Sequence, residues 1–181
     1  MAFYRSVGEI PPKRHTVFRQ LDGTLYAEEL MGEEGFSSDS SLLYHRRIPS
    51  EITHARVWEV PDQRLTPSHP IKPLLLKLHD LFPDDSSGVD AVTGRRLILG
   101  NGDVRISYVV ADAPSPFYRN AIGDECVYVE RGSAQVETIF GAFEVGRGDY
   151  VIIPRATTHR WLPKPAGDDP DGERLRLYAV E

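Results

Sequence analysis

The sequence predicts an all-β barrel, and three features carry that prediction. Residues 120–161 form a succession of short apolar runs separated by glycines, as in a meander of strands. Asn101-Gly102 lies between two further apolar runs and favours a hairpin with a type I′ turn, because both central residues of that turn need positive φ. The chain has 181 residues, which suits one domain of ordinary size with a core of its own.

Strand patterns predict which side chains of the meander are buried. Apolar residues recur at a period of two on both sides of Gly132-Ser133, so a hairpin at this turn would bury one face, consisting of Val127, Val129, Ala134 and Val136. Residues 151–153 are Val-Ile-Ile, which predicts a strand buried on both sides. Residues 173–181 alternate polar and apolar side chains and predict a last strand.

The region before the barrel predicts an arm and a pair of strands. Residues 1–20 contain a Pro11-Pro12 pair and a basic cluster without a helical period, so we expect an extended arm. Residues 21–49 contain short apolar runs between glycine, serine and aspartate clusters, which predict two strands.

The next segment is rich in proline. Five prolines between residues 61 and 83 exclude a long helix or a central strand, and they allow a wrapping loop with one short helical turn at Leu74–His79. We therefore predict that residues 1–94 form an arm, first strands and a loop that pack on a barrel of residues 95–181. No independent second domain is expected.

Composition excludes several classes of protein. Acidic residues outnumber basic ones, 27 against 21, and a formal charge of −6 argues against a nucleic-acid-binding face. The single cysteine, Cys126, excludes an intramolecular disulfide framework, and no signal-peptide core follows Met1, so we expect a cytoplasmic protein. No apolar run approaches the roughly 18–20 residues of a membrane helix.

One motif narrows the fold. Gly148-Asp149, Pro154 and His159 have the spacing of the second motif of the cupin superfamily, with Ala156 where glycine is usual. Cupins are double-sheet jelly rolls whose mouths often hold a metal. The resemblance therefore implies a cupin-type double-stranded β-helix, or jelly-roll barrel, with an extended N-terminal arm.

The first cupin motif is incomplete here. Glu125 matches its glutamate, but Arg119, Asn120 and Ala121 stand where the two histidines are expected. The weak metal candidates are therefore Glu125 and His159, while a non-haem Fe(II) oxygenase site usually has two imidazoles and a carboxylate. Without a metal, we expect His159 to bond a carboxylate at the barrel rim and Glu125 to face Arg119 or Arg155.

The chain also resembles the N-terminal half of bacterial homogentisate 1,2-dioxygenases. The resemblance is carried by residues 8–19, 25–30, 35–45, 117–124, 138–141 and 151–155. It implies membership of a family that uses Fe(II), held by two His and one Glu, to open the ring of homogentisate to maleylacetoacetate in tyrosine and phenylalanine catabolism. In that family the iron ligands lie in the C-terminal half, so no catalytic residue or cofactor ligand is carried over to this chain.

Three functions follow as alternatives. The first is a structural barrel that packs on a C-terminal catalytic cupin half, absent from this sequence, and helps to build a homo-oligomer. The second is a stand-alone metal cupin that uses Glu125 and His159 with a third ligand such as His45 or His54. The third is a metal-free cupin that binds a small acid at the barrel mouth through arginines, for which the candidates are Arg119, Arg155 and Arg160.

The remaining candidate groups favour structural roles. His15 lies in a basic arm and His69 lies between prolines. His79 suits a local cap or a pair with a carboxylate. The pairs Glu28-Glu29 and Glu33-Glu34 are adjacent strand residues that point to opposite faces, so we expect solvated charges. Cys126 lies in an apolar strand and is expected to be an inert core residue.

Overall fold

The chain divides into two compact units. A computed structural model of the protein describes residues 17–58, 63–83 and 87–181, and its units are Met1–Val57 and Trp58–Glu181. Most of the predicted arm, residues 1–16, lies outside the described residues. The division between residues 94 and 95 stays a prediction.

The first unit contains the predicted pair of strands. Strand β1, Ala27–Glu34, pairs antiparallel with β2, Ser37–His45. The chain reverses at Gly35, whose φ of 62° lies in the left-handed region that glycine adopts without a Cβ clash. Phe18 packs edge-on against Tyr44 with ring centroids 4.8 Å apart, so aromatic contacts cover part of this hairpin.

The regular secondary structure of the second unit consists almost entirely of strands. The one α-helix among its described residues, α1, is Leu78–Leu81, which overlaps the short turn predicted in the proline-rich segment, and a 3-10 turn spans Ala166–Asp168. The strands are β3 Arg96–Gly100, β4 Arg105–Ala111, β5 Glu125–Arg131, β6 Ala134–Thr138, β7 Gly141–Val145, β8 Tyr150–Ile153, β9 His159–Pro163 and β10 Leu175–Val180. No helix among the described residues is long and apolar enough to cross a membrane.

These strands form two antiparallel sheets. The order in the five-stranded sheet is β3-β4-β10-β5-β8, and in the three-stranded sheet it is β7-β6-β9. The chain passes repeatedly from one sheet to the other, which is the connectivity of a jelly roll. The prediction of an all-β, cupin-type jelly-roll barrel is confirmed.

The predicted hairpin at Gly132 is wrong, because the strands on either side of this turn do not pair with each other. The predicted burial of the four residues around the turn is confirmed. β5 pairs with β10 and β8, while β6 pairs with β7 and β9, so the turn carries the chain from one sheet to the other. Gly132 has φ of 70°, and a Cβ there would lie 2.7 Å from the backbone of Arg174. The four predicted residues are all buried, but the two pairs belong to opposite sheets.

The strand at residues 151–153 is buried on one face only, which corrects the second burial prediction. Val151 and Ile153 belong to the core, whereas Ile152 is 64% exposed. β8 is an edge strand of its sheet and pairs with β5 alone. Its outer face therefore has no covering layer among the described residues.

The hairpin at Asn101-Gly102 is confirmed, but its turn differs from the predicted type. β3 and β4 are joined by residues 101–104, and neither Asn101 nor Gly102 has positive φ. The Asn101 side chain instead accepts hydrogen bonds of 2.8 Å from the backbone N–H groups of Asp103 and Val104. A side chain that mimics backbone in this way fixes the turn without the left-handed conformation.

The core lies between the two sheets. Its largest side chains are Trp161 from β9 and Leu175 and Leu177 from β10, all inaccessible to solvent. They pack with the valines of β5 and β6 into one cluster. This packing fixes the ends of β5 and β9, where the two motif residues lie.

Candidate functional site

The two motif residues start strands of opposite sheets and are both buried. Glu125 is the first residue of β5 and His159 the first of β9, with 1% and 0% of their surfaces exposed. The His159 backbone is bonded in both directions to Tyr118, by N···O contacts of 2.9 and 2.8 Å. Its ring Nδ1 lies 3.1 Å from the Thr157 carbonyl oxygen, which suits a protonated Nδ1 that donates and leaves Nε2 as an acceptor.

The turn that leads into His159 explains why the second cupin motif usually has glycine at the position of Ala156. Ala156 has φ of 64°, in the left-handed region, and its N–H donates to the Asn120 carbonyl oxygen at 2.6 Å. Glycine adopts this conformation with less strain than alanine. Ala156 therefore holds a backbone conformation that favours glycine.

Glu125 is held by an arginine that the sequence did not suggest. Arg95 Nη1 donates to Glu125 Oε2 at 2.7 Å and to Glu181 Oε1 at 3.0 Å, and the Arg95 side chain is only 7% exposed. The expectation that Glu125 faces Arg119 or Arg155 is therefore wrong, since both of those residues are exposed. Arg95 stands 30 residues before Glu125, and no local pattern links the two.

A tight turn directs Arg95 into the barrel. Asp90 Oδ1 accepts hydrogen bonds of 2.8 Å from the backbone N–H groups of Val92 and Thr93, and Arg95 Nε donates to the Ala91 carbonyl oxygen at 2.9 Å. A Cβ on Gly94 would lie 2.6 Å from the Asp90 carbonyl oxygen, so the turn needs glycine there. The Asp-x-x-x-Gly-Arg sequence is the only local signal that could have predicted a tight turn before Arg95.

Tyr118 packs against His159. Its ring packs edge-on against the His159 ring at a centroid distance of 5.7 Å, and Trp58 packs on it at 5.8 Å. Burial raises the pKa of Tyr118, and the charges of Glu125 and Glu181 raise it further against the opposing effect of Arg95. The hydroxyl therefore stays protonated at neutral pH and can donate a hydrogen bond.

Several buried polar atoms in this region have no hydrogen-bond partner within the described part of the chain. They are Arg95 Nη2, Glu125 Oε1, Thr157 Oγ1, His159 Nε2 and Trp161 Nε1. Buried polar groups in folded proteins are normally bonded to protein or to ordered water. The barrel interior is therefore polar enough to hold water or a small polar molecule next to the Arg95–Glu125 pair.

The donor set does not suit an iron centre of the kind that the resemblance implies. Glu125 and His159 are the only motif ligands, and no group of three or more His, Cys, Asp or Glu that could hold a metal occurs among residues 17–58, 63–83 and 87–181. In addition, the Arg95 guanidinium contacts the Glu125 carboxylate at 2.7 Å. A divalent cation at that carboxylate would meet a fixed positive charge in a poorly screened interior.

The other candidate side chains have partners elsewhere. Arg160 Nε donates to Glu137 at 2.6 Å and its guanidinium lies 4.5 Å from the centre of the Phe117 ring. His45, the candidate third ligand, is hydrogen-bonded to Glu29 at 2.7 Å, so Glu29 has a side-chain partner and is not a purely solvated charge.

The predictions for His79 and Cys126 have different outcomes. The prediction of a carboxylate partner for His79 is confirmed, because its Nε2 lies 2.5 Å from Glu130 Oε1. The prediction that Cys126 is a core residue is wrong, because it is only half-buried and alternates with the inward-facing Glu125 and Val127.

Comparison with known proteins finds a clear sequence relative. No known family model matches the chain. A protein of Saccharolobus solfataricus named "Putative dioxygenase" is 37% identical over 172 residues, which are 88% of this chain and 41% of that protein. This chain is similar to a protein named as a dioxygenase. It spans less than half of that relative's length.

Solved structures of cupin domains are more distant. A cupin-2 domain protein from Shewanella frigidimarina is 18% identical, with a TM-score of 0.45 over 59% of this chain and 93% of that one. A cupin superfamily protein from Desulfitobacterium hafniense is 14% identical, with a TM-score of 0.44 over 70% of this chain and 96% of that one.

Proposed function

We propose that this chain is the structural cupin region of a homogentisate 1,2-dioxygenase-like protein and that the Fe(II) chemistry belongs to a second, C-terminal cupin half. The similarity over 172 residues to a protein named as a dioxygenase supports the reaction class. The resemblance of residues 8–19 and 35–45 to homogentisate dioxygenases supports the substrate.

The observation that carries the structural role is the buried Arg95–Glu125 ion pair. In a metal cupin the glutamate of the first motif ligates the ion, whereas here its Oε2 accepts a hydrogen bond from Arg95 at 2.7 Å. Removing a carboxylate from such a pair for metal ligation would leave a buried guanidinium with one counter-charge fewer, which is unfavourable. The pair therefore favours a barrel that folds and packs without iron.

The outer face of β5 and β8 is suited to pack on the proposed C-terminal cupin half. Cys126 pairs with Ile152 and Tyr128 with Tyr150 across these strands, and the tyrosine rings lie 4.8 Å apart. Ile152 and Tyr150 are both exposed. A contiguous apolar face on an edge strand is typical of a surface that packs on a partner.

The direct test is reconstitution of the purified 181-residue chain with Fe(II) under anaerobic conditions, followed by metal analysis. We expect far less than one iron per chain after dialysis, because two ligands chelate weakly. With ascorbate and oxygen, absorbance at the maleylacetoacetate band should not rise above a protein-free control. Near one iron per chain, lost on His159→Ala, would instead identify a stand-alone metal cupin.

A second test examines the dioxygenase assignment itself. The protein encoded by the gene with its coding sequence downstream of codon 181 should bind iron and consume homogentisate. We expect that sequence to contain a His-x5-Glu pair and a later His. An iron-loaded extended protein that leaves homogentisate unchanged would refute the substrate, and the iron-free role of this barrel would be judged separately by the first test.

A further inference from the structure

One end of the barrel collects polar side chains from both sheets. Ile153, the last residue of β8, pairs with Glu125, the first residue of β5. The Arg155 backbone N–H donates to Asp124 Oδ1 at 2.8 Å, which holds the turn after β8 beside the start of β5. The same turn leads to His159, the first residue of β9 in the other sheet. Glu125 and His159 therefore lie at one end, which we call the motif end of the barrel.

Five buried side-chain atoms in this region have no hydrogen-bond partner among the residues that the structure describes. Two are donors, Arg95 Nη2 and Trp161 Nε1. Two are acceptors, Glu125 Oε1 and His159 Nε2, and the Thr157 hydroxyl can be either. Each of these residues is at least nine-tenths buried. An unpaired buried group destabilises the fold, so a molecule that pairs with several of them at once is favoured.

Arg95 and Glu125 each leave one hydrogen-bonding atom unused. Arg95 Nη1 donates to Glu125 Oε2 at 2.7 Å, so the unused atoms are the second terminal nitrogen of the guanidinium and the second oxygen of the carboxylate. A ligand that pairs with both must accept a hydrogen bond from a cation and donate one to an anion. A hydroxyl group does both, because its oxygen accepts hydrogen bonds and its O–H donates one.

The charges around Arg95 argue against an anionic ligand. Arg95 Nη1 contacts Glu125 Oε2 at 2.7 Å and Glu181 Oε1 at 3.0 Å, and all three side chains are largely buried. An added anion would compete with these two carboxylates for the guanidinium and would lie close to their negative charges. It would also have no proton to donate to Glu125 Oε1 or His159 Nε2. A neutral ligand with hydroxyl groups meets neither difficulty.

Aromatic rings connect the buried His159 to the surface. The Tyr118 ring packs edge-on against the His159 ring at a centroid distance of 5.7 Å, and Trp58 packs on Tyr118 at 5.8 Å. Trp58 is 47% exposed, whereas Trp161 of β9 is inaccessible to solvent. Small-molecule sites are typically lined by apolar and aromatic side chains with a few polar groups that fix the orientation of the ligand. The rings thus offer the carbon atoms of a ligand an apolar contact surface.

We propose that the motif end of this barrel binds a small neutral polyhydroxy molecule. One hydroxyl pairs with Arg95 Nη2 and Glu125 Oε1, and a second donates to His159 Nε2. The Thr157 hydroxyl and the Trp161 indole N–H are further partners for the same molecule. Ordered water is the competing occupant, since water also donates and accepts hydrogen bonds. A polyol is favoured over water because one ordered molecule replaces several, each of which loses entropy when it is immobilised.

The test is an NMR titration of the ¹⁵N-labelled full chain with erythritol and, separately, with succinate, an anion whose carbon chain has the same length. The chain has two tryptophans, Trp58 and Trp161, so its spectrum contains two indole N–H signals that both report on the site. We expect erythritol to move the Trp161 signal saturably, because that buried N–H gains a partner. Succinate should bind more weakly or not at all.

Thr157→Val removes one unpaired hydroxyl with little change of shape, and it should weaken erythritol binding about fivefold, the loss expected for one neutral hydrogen bond. The matched control is Thr158→Val, the same change in the next, partly exposed residue. It should leave the dissociation constant within about twofold, as is usual for changes outside a site. The proposal fails if erythritol leaves the Trp161 signal unchanged, which would assign the interior to ordered water alone. It fails equally if the shift does not saturate, if succinate binds more tightly, or if Thr157→Val, folded by its amide spectrum, binds like Thr158→Val.

Discussion

At the residue scale, a buried ion pair between Arg95 and Glu125 is the main electrostatic feature of the barrel interior. Glu125 keeps the position of a motif ligand, yet Arg95 and not an imidazole pair stands next to it. The Arg95 guanidinium supplies a positive charge at this buried carboxylate.

We predict that Arg95→Met destabilises the chain by about 3–5 kcal/mol, because it leaves the buried Glu125 carboxylate without its cation. The double variant Arg95→Met, Glu125→Met should be less destabilised than the two single changes added together, by more than about 1 kcal/mol. Urea unfolding of the four proteins of this cycle gives the coupling energy.

Arg147→Met is a suitable control for the loss of an arginine, since surface changes usually stay within about 0.5 kcal/mol. A cost for Arg95→Met no larger than that of the control would contradict the ion pair as a structural element.

At the element scale, the segment around α1 is fastened to the five-stranded sheet by a polar cluster. His79 bonds Glu130 at 2.5 Å, and Glu130 also accepts a hydrogen bond from Tyr108 of β4. Phe82 stacks on the Tyr108 ring, and Arg96 lies over Phe82 at 5.4 Å. Burial and the hydrogen bond to Glu130 raise the pKa of Tyr108 to about 12, so its hydroxyl remains a donor at neutral pH.

This cluster predicts a pH dependence that can be assigned to one residue. Burial raises the pKa of Glu130, but hydrogen bonds from Tyr108 and His79 outweigh it, and the net pKa lies below the ordinary 4.5. A carboxyl whose pKa is lowered on folding stabilises the protein above its unfolded pKa, and that stability is lost as pH falls through the folded value. Stability should therefore decrease as the pH falls below about 4.5.

The variant Glu130→Gln should lack the part of this stability loss at low pH that arises from protonation of Glu130. The measurement is the free energy of unfolding at pH 7 and at pH 3.5 for both proteins, and the difference between the two pH values should be smaller in the variant. Glu144→Gln, an exposed residue of β7, serves as a control for removal of a carboxylate. Equal pH slopes for Glu130→Gln and the unaltered chain would rule out the cluster as a pH-sensitive anchor.

At the scale of the whole molecule, one part of the outer surface of the five-stranded sheet is covered and another part is exposed to solvent. The outer face of β4 carries Tyr108, which is almost fully buried under the α1 segment, whereas Ile152 on the outer face of β8 is exposed. The sheet therefore ends in an edge strand with an apolar outer face, which is where proteins associate.

We predict that the isolated chain self-associates at micromolar concentration through this face. Ile152→Lys should shift the sedimentation profile toward the monomer, because a lysine on an edge strand prevents further pairing and packing. Ile122→Lys is the matched control, since Ile122 is also exposed but lies in the loop before β5. A clean monomer for the unaltered chain that also binds no hydrophobic dye would contradict the half-protein proposal.

Local sequence signals determined much of the fold. The period-two runs of β5 and β6 predicted their buried residues, and Asn101 predicted a hairpin between β3 and β4, because side-chain alternation and turn chemistry act over a few residues. The motif from Gly148 to His159 predicted the jelly roll, since a fixed spacing reflects one turn between two strands. The expectation that His159 lies at the barrel rim and bonds a carboxylate is wrong, because the residue is fully buried and its Nδ1 contacts the Thr157 carbonyl oxygen.

Only the tertiary structure decided which strands pair and which charges meet. The sequence could not show that Gly132 links two sheets, because a hairpin and a sheet crossing have the same local alternation and differ only in distant partners. It could not show that Arg95 reaches Glu125, or that a bulge brings Arg131 beside Arg176, because both depend on strands far apart in the chain. Periodicity is a property of neighbouring residues, whereas an ion pair is formed by residues that folding brings together, and this physical difference separates what the sequence determined from what the structure added.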